Sequence, residues 1–301
     1  MDVIHSVPAM QVAAKSASRA GRTLALVPTM GALHAGHLAL VAEARRHADH
    51  VTVSIFVNPT QFGPSEDFER YPRTWEHDLA LLSAAGVDVV FAPGVPDLYP
   101  LGMEERVWVF TEGLDAHLCG TFRPGHFRGV TTVVAKLFLA CQPDVAVFGL
   151  KDAQQFFILK RMTEALGFPI SLVGLPTVRE ADGLALSSRN RYLSEDERIS
   201  ASIIPKALFH VYERIVKGER EVAPLVLSLH AQIQEAHGAR VQYAEVVDTQ
   251  RLQPVSLLVD GMQVLVAVAV YVGQTRLIDN LLIDVSAAST DADHALSRQV
   301  A

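Results

Sequence analysis

Residues 28–40 read PTMGALHAGHLAL, a turn rich in glycine and histidine that directly follows the apolar run TLALV at residues 23–27. An unbroken short apolar run stopped by a proline describes a strand buried on both faces of a parallel sheet. Beyond the turn, Leu38, Leu40, Val41 and Ala44 recur at mixed three- and four-residue spacing, which suits a helix lying on that sheet. The stretch therefore reads as strand, turn and helix.

Working outward, the same alternation continues. A helix-compatible pattern over residues 9–20 precedes the first strand. After it come strands over 51–57, 87–91, 145–148 and 170–173, with helices over 74–84, 130–140 and 152–166 between them. Five strands alternating with helices imply parallel crossovers and an α/β, Rossmann-like doubly wound sheet, expected to occupy residues 1–175. Ligands of such sheets bind beyond the carboxyl ends of the strands. The unusual loops PTMGALHAG, NPTQFG and GLKDAQQ all fall there.

The character changes after Pro176. A polar connection leads to helices over 199–217 and 224–236. Alternating segments follow over 241–247, 263–271 and 275–278, with turns at Asp260-Gly261 and Gly273-Gln274. This predicts a smaller α+β domain over 176–284 that closes over the site. Residues 285–301, rich in Ala, Ser, Asp and Thr, read as a disordered tail or weak helix.

Composition narrows the function. The 301 residues are half hydrophobic and one-fifth charged, with a net charge of −7, and no long basic block argues for binding nucleic acid. Cys119 and Cys141 lack metal or disulfide spacing and read as buried reduced thiols. No apolar run reaches membrane-spanning length and the first residues lack a signal-peptide pattern, so a cytoplasmic protein without membrane partners is expected.

His34 and His37, three positions apart around Gly36, sit at a helix start where unsatisfied backbone N–H groups and the helix dipole favour an anion. They also read as simple helix caps; a zinc site lacks its completing ligands. Asn58 and Gln61 offer neutral donors and acceptors suited to a hydroxyl and a carboxylate, in what is otherwise an ordinary polar loop. Asp152 is placed like an N-cap, and Lys151 beside it suits a phosphate. Ser187, Ser188, Arg189 and Arg191 either wrap a triphosphate or form a solvated linker. The segment RPGHFRG at residues 123–129 reads as a lid, an anion contact or a long turn.

HAGH, NPTQF, FRPGHFRG, GLKDAQQ and LALSSRNRYL, in this order and spacing, resemble the pantothenate synthetase (pantoate–β-alanine ligase) family of the HxGH nucleotidyl-transferring superfamily, from the first strand to about residue 282. The resemblance implies ATP-dependent condensation of pantoate with β-alanine through a pantoyl adenylate, releasing AMP and pyrophosphate. It implies a homodimer too. Carried over by motif, Met30, Gly31, Ala32, Leu33, His34, Ala35, Gly36 and His37 line the ATP site with Gly149, Leu150, Lys151, Asp152, Val178, Leu186, Ser187, Ser188 and Arg189. His37, His34 and Lys151 act on the reacting phosphate, with His37 as the usual proton donor, while Gln61 contacts both pantoate and β-alanine and Gln155 holds pantoate. Mg2+ is expected with ATP; its protein ligands are unassigned, Asp78 being a weak candidate. Leu150, Thr60 and Ala153 depart from the acidic residue, methionine and aromatic residue usual at those positions. A nucleotidyltransferase that keeps the nucleotide on another small product is the alternative, since HxGH fits both.

Overall fold

Leu24–Thr29 forms a strand with five of its six residues buried, as a strand covered on both faces requires. In the computed structural model, which describes residues 1–64, 66–104 and 106–286, this strand is β2, preceded by β1 (Asp2–Ile4) and α1 (Val7–Arg19). There follow α2 (Ala35–His47), β3 (His50–Ile55), α3 (Trp75–Ala84), β4 (Val89–Phe91) and the short α4 (Val95–Leu98) and α5 (Cys119–Phe122). Then come α6 (His126–Cys141), β5 (Val145–Gly149), α7 (Ala153–Ala165) and β6 (Ser171–Leu175).

The six strands pair in parallel in the order β1-β4-β3-β2-β5-β6. Five were expected. The sixth, β1, is too short to show a period and pairs only with β4 at the sheet edge. Val27, Val53, Val90 and Val147 of the sheet pack with Leu40, Val41 and Ala44 of α2 and Leu82 of α3 in one apolar cluster. Helices α1 and α6 pack on each other and against β2. Because β2 lies between β3 and β5, the winding direction reverses between β2 and β5, and a doubly wound sheet opens its ligand crevice at that point.

The later part of the chain contains α8 (Glu195–Ala201), α9 (Ile203–Val216) and α10 (Val222–Gln234), then the antiparallel strands β7 (Ala239–Asp248), β8 (Gln263–Val272) and β9 (Thr275–Asp284) in that order. The single helix expected over 199–217 is two. The first starts four residues earlier because Ser194 and Glu197 form a reciprocal capping box, and Ser202 separates it from α9. Strand β9 continues to Asp284, well past the expected end at 278. Val246, Val264, Val266, Leu277 and Leu281 form the core of this sheet with Leu208, Val211, Leu225 and Leu229 from α9 and α10.

The chain divides into two compact units. The first comprises Met1–Glu112, Arg123–Leu150 and Ile158–Leu175; the second comprises Gly113–Phe122, Lys151–Phe157 and the described residues from Pro176 onward. Segments 113–122 and 151–157, expected in the first domain, thus group with the second. Side chains explain it: the Gln154 amide donates to the carbonyls of Leu114 and His117, and the Asn280 amide donates to that of Lys151. The proposed tail also begins too early, since Val285 is buried and hydrogen-bonded to Met262 and Gly261; residues 287–301 lie outside the described residues. Cys119 and Cys141 are both free and buried. Among the described residues, no helix is long and apolar enough to cross a membrane.

Candidate active site

At the carboxyl end of β2 the backbone turns through two successive left-handed residues, Gly31 (φ 81°) and Ala32 (φ 52°). Such a conformation costs a non-glycine residue about 1–3 kcal/mol and persists only where its surroundings impose it. Asp78, in the first turn of α3 and 1% exposed, supplies that constraint. One carboxylate oxygen accepts the N–H of Ala32 at 3.0 Å; the other accepts that of Leu33 at 2.9 Å and the Thr74 hydroxyl at 3.0 Å. A Cβ on Gly31 would lie 3.1 Å from the same carboxylate. Asp78, the weak metal candidate, therefore belongs to the loop. Among the described residues, no three His, Cys, Asp or Glu side chains gather where they could hold a metal ion.

The two histidines do cap α2, but with each other's help. The N–H of Gly36 donates to His34 Nδ1 at 3.2 Å, and the N–H of His34 donates to His37 Nδ1 at 3.3 Å. The ring centroids are 4.1 Å apart. An Nδ1 that accepts a hydrogen bond carries no proton, so in this arrangement each imidazole is neutral and bears its N–H at Nε2. Gly31 N–H is also engaged, by the Thr29 hydroxyl at 3.2 Å. The backbone donors of Gly31, Ala32, Leu33, His34 and Gly36 are thus spoken for. Those five N–H groups are engaged by the loop itself and by Asp78.

After β3, Asn58 caps a single 3-10 turn, Pro59–Gln61. Its Oδ1 accepts from the Thr60 N–H, the Thr60 hydroxyl and the Tyr99 hydroxyl, while its Nδ2 donates to Gln61 Oε1 at 3.1 Å and the Gly129 carbonyl at 3.2 Å. Thr60, a departure from the family pattern, is absorbed in this network. With Oε1 held, Gln61 presents its Nε2, which also reaches Met30 Sδ at 3.1 Å. Gln61 is consequently oriented as a donor, the role a carboxylate substrate requires.

The RPGHFRG segment braces the same turn rather than hanging as a lid. Gly125 adopts φ 79° ahead of α6; His126 Nδ1 lies 2.8 Å from the Gln61 carbonyl, and Arg123 Nη1 lies 3.0 Å from His126 Nε2. Since guanidinium only donates, Nε2 accepts and Nδ1–H donates to Gln61. Arg123 in turn grips Glu66 through two 2.6 Å bonds. Burial pushes the Glu66 carboxyl up, but the hydrogen bonds and charge of Arg123 outweigh it and hold the group below its ordinary value. Gly129 is required here: a Cβ would stand 2.3 Å from the Thr60 carbonyl oxygen.

Leu150–Asp152, of which Leu150 falls in the first unit and Lys151 and Asp152 in the second, is a 3-10 turn running straight into α7, so Asp152 lies within this turn and not in front of the first helical turn as a cap. Ala153 is buried. Residues 178–186 form an ordered hairpin and not a flexible linker: Arg179 bridges Ala185, and Leu186 N–H donates to the Val178 carbonyl at 2.9 Å. Ser187 then caps a 3-10 turn over Ser188–Tyr192. Asn190 donates to Glu180 and to the Ala185 carbonyl, and Arg198 donates to Glu180. Arg179 makes a two-pronged ion pair with Asp279, 1% exposed by side chain, at 2.7 and 3.0 Å. Burial pushes the Asp279 carboxyl up, and Arg179 opposes that shift.

Within the first unit, therefore, His34 sits beside His37 and Gln61 beside Met30; Gly149 ends the neighbouring β5 and Leu150 follows it. The second unit carries Lys151, Asp152, Gln155, Val178, Leu186, Ser187, Ser188 and Arg189. Glu66, Arg179, Asp279 and Asn280 were absent from the expected binding and catalytic residues; Asp78 was expected only as a weak metal ligand, and Arg123 and His126 only as part of a lid, anion contact or long turn. Only RPGHFRG carried a local signal; the others hold site segments from distant parts of the sequence.

The chain also matches known proteins in sequence and fold. The family model described as pantoate-beta-alanine ligase matches residues 2–282. A pantothenate synthetase of Salinibacter ruber is 55% identical over 293 residues, 96% of this chain and 99% of that protein. Among solved structures, a pantothenate synthetase from Thermus thermophilus is 46% identical with a TM-score of 0.86, covering 95% of this chain and 100% of that one. The pantoate-beta-alanine ligase from Francisella tularensis, complexed with beta-gamma ATP and beta-alanine, is 32% identical with a TM-score of 0.76, covering 94% and 97%.

Proposed function

The chain belongs to the pantoate–β-alanine ligase family, and from that premise we propose that it makes pantothenate from pantoate and β-alanine through a pantoyl adenylate. A pantoate carboxylate oxygen attacks the α-phosphorus of ATP and pyrophosphate leaves. The unprotonated amine of β-alanine then attacks the acyl carbon; AMP departs with the former carboxylate oxygen, and the amine loses a proton as the amide forms. Cytoplasmic location and a homodimer are part of the same reading. Sedimentation at the mass of two chains is the corresponding expectation.

The observation that carries the reading is the paired imidazole cap at the end of β2, beside the switch point of the sheet. Its Nε2–H groups are suited to phosphate oxygens that gain charge as pyrophosphate leaves. We assign His34 and His37 this role as neutral donors, which makes His37 an electrostatic participant and not an acid that gives up a proton. Met30–His37, Gly149–Asp152, Val178 and Leu186–Arg189 form the proposed ATP-binding set, with Lys151 and Arg189 supplying positive charge. Gln61 and Gln155 are proposed to hold pantoate, Gln61 donating to its carboxylate.

Mg2+ is proposed to arrive bound to the nucleotide, since Asp78 commits both oxygens to the loop. The deciding experiment supplies carboxylate-labelled 18O-pantoate with magnesium–ATP and β-alanine. One labelled oxygen in AMP is the expected result; label-free AMP, or ADP and phosphate, would sink the adenylate route.

A further inference from the structure

We infer that Asp279 and Asn280, neighbours on β9, are positioning residues that jointly locate the two nucleotide-binding segments of the second unit; the inference rests on the assignment of Lys151, Val178 and Leu186–Arg189 to ATP. Successive residues of a strand face opposite sides of the sheet. Along β9, Leu277, Leu281 and Ile283 face the apolar core, and Asp279 stands in that same row. A carboxylate in place of an aliphatic residue there is costly unless paired.

Its partner explains its presence. Arg179 donates two bonds to Asp279, a third to the Asn280 carbonyl at 3.4 Å and a fourth to the Gly183 carbonyl at 3.0 Å. The guanidinium also lies over the Phe209 ring. Arg179 adjoins Val178 and bridges Ala185, next to Leu186, so this ion pair sets where both ends of the hairpin lie. On the opposite face, the Asn280 side chain donates to the Lys151 carbonyl at 2.8 Å, and the Asn280 N–H donates to Asp279 at 2.7 Å. One dipeptide therefore grips both segments.

Asn280 bonds to a main-chain oxygen and thus selects no particular side chain at position 151. What it fixes is the place from which the ammonium extends. Displacing a charged group by about 1 Å from a developing phosphate charge can cost on the order of 10²-fold in rate, so the grip acts on catalysis without touching the reacting atoms.

The test is a double-mutant cycle on the whole enzyme, read as pantoate-dependent exchange of labelled pyrophosphate into ATP. Asn280→Asp keeps the size of the side chain but turns its donor into a repelled acceptor. It should lower kcat/KM for ATP about tenfold or more, while the protein still melts cooperatively. Asn280→Gln, which retains the amide, should recover part of the loss. Added to Lys151→Ala, Asn280→Asp should cost less than about threefold further, because the group it places is gone. Full exchange activity in Asn280→Asp, or a double variant whose losses multiply, would overturn the inference; Asn280→Ala takes the same place in the cycle if Asn280→Asp does not fold. Full activity in Lys151→Ala would overturn instead the underlying assignment of that lysine, a distinct outcome because Asn280 is intact in that variant.

Discussion

The carboxylate of Asp78 accepts the consecutive main-chain N–H groups of Ala32 and Leu33, at 3.0 and 2.9 Å, and so holds the histidine loop from a helix that begins more than forty residues later. Replacing it by Asn exchanges one acceptor for a donor facing a donor, at a cost of about 1–3 kcal/mol. Asp78→Asn should lose about tenfold or more in pyrophosphate exchange, because the imidazoles follow the loop. Asp78→Glu should not rescue it, since the added methylene has to fit where Gly31 already approaches the carboxylate closely. Steady-state exchange and thermal melting of both variants measure this.

The histidine pair predicts an unusual pH profile. A rate that needed imidazolium would rise on acidification. Here protonation at Nδ1 breaks a cap, so the exchange rate should fall, not rise, as the pH is lowered. His37→Ala should lose on the order of 10²-fold, and His37→Gln, which restores an N–H donor, should retain more. An exchange rate that climbs on acidification would contradict the neutral assignment.

Glu66 has its carboxyl held below the ordinary range in the folded state. The stability contributed by its bond with Arg123 is therefore fully present above the unfolded value, about 4.3, and is lost as pH falls through the lower folded value. Glu66→Gln should melt lower than the parent at pH 7, and this difference should shrink as the pH drops below about 4. Melting curves across that range decide it; a constant gap would mean that the ion pair is not the source.

Gly129→Ala should destabilise the first unit by about 1–3 kcal/mol through overpacking. Its methyl has to displace the Thr60 carbonyl, and with it the turn that carries Gln61. The KM for pantoate should rise in consequence. An unchanged pantoate KM with a lowered melting temperature would separate packing from recognition.

The β2 strand, its turn and α2 were legible because their signals are local: an apolar run, a proline and a helical period within some twenty residues. HAGH was legible as a cap for the same reason. The reciprocal capping that neutralises the rings was not, because it depends on which ring nitrogen meets which N–H. Arg179 looked like one more charge in a polar connection, since its partner Asp279 lies 100 positions away. Asn280 looked like an ordinary strand residue. The domain assignment missed segments 113–122 and 151–157 on the same physical ground: the side chains tying them to the second unit come from Gln154 and β9, and helix-strand alternation says nothing about such ties.

The bond between Asn280 and Lys151 also orders events in time. During synthesis Lys151 emerges 129 residues ahead of the amide that holds it, long after β2 and its histidine turn have been made. The parallel sheet can begin to form while the lysine turn is still without its anchor, and that turn is secured only when β9 pairs with β8. On the proposed assignment of Lys151 to ATP, a nascent chain that still lacks β9 has no anchored lysine turn to offer the nucleotide.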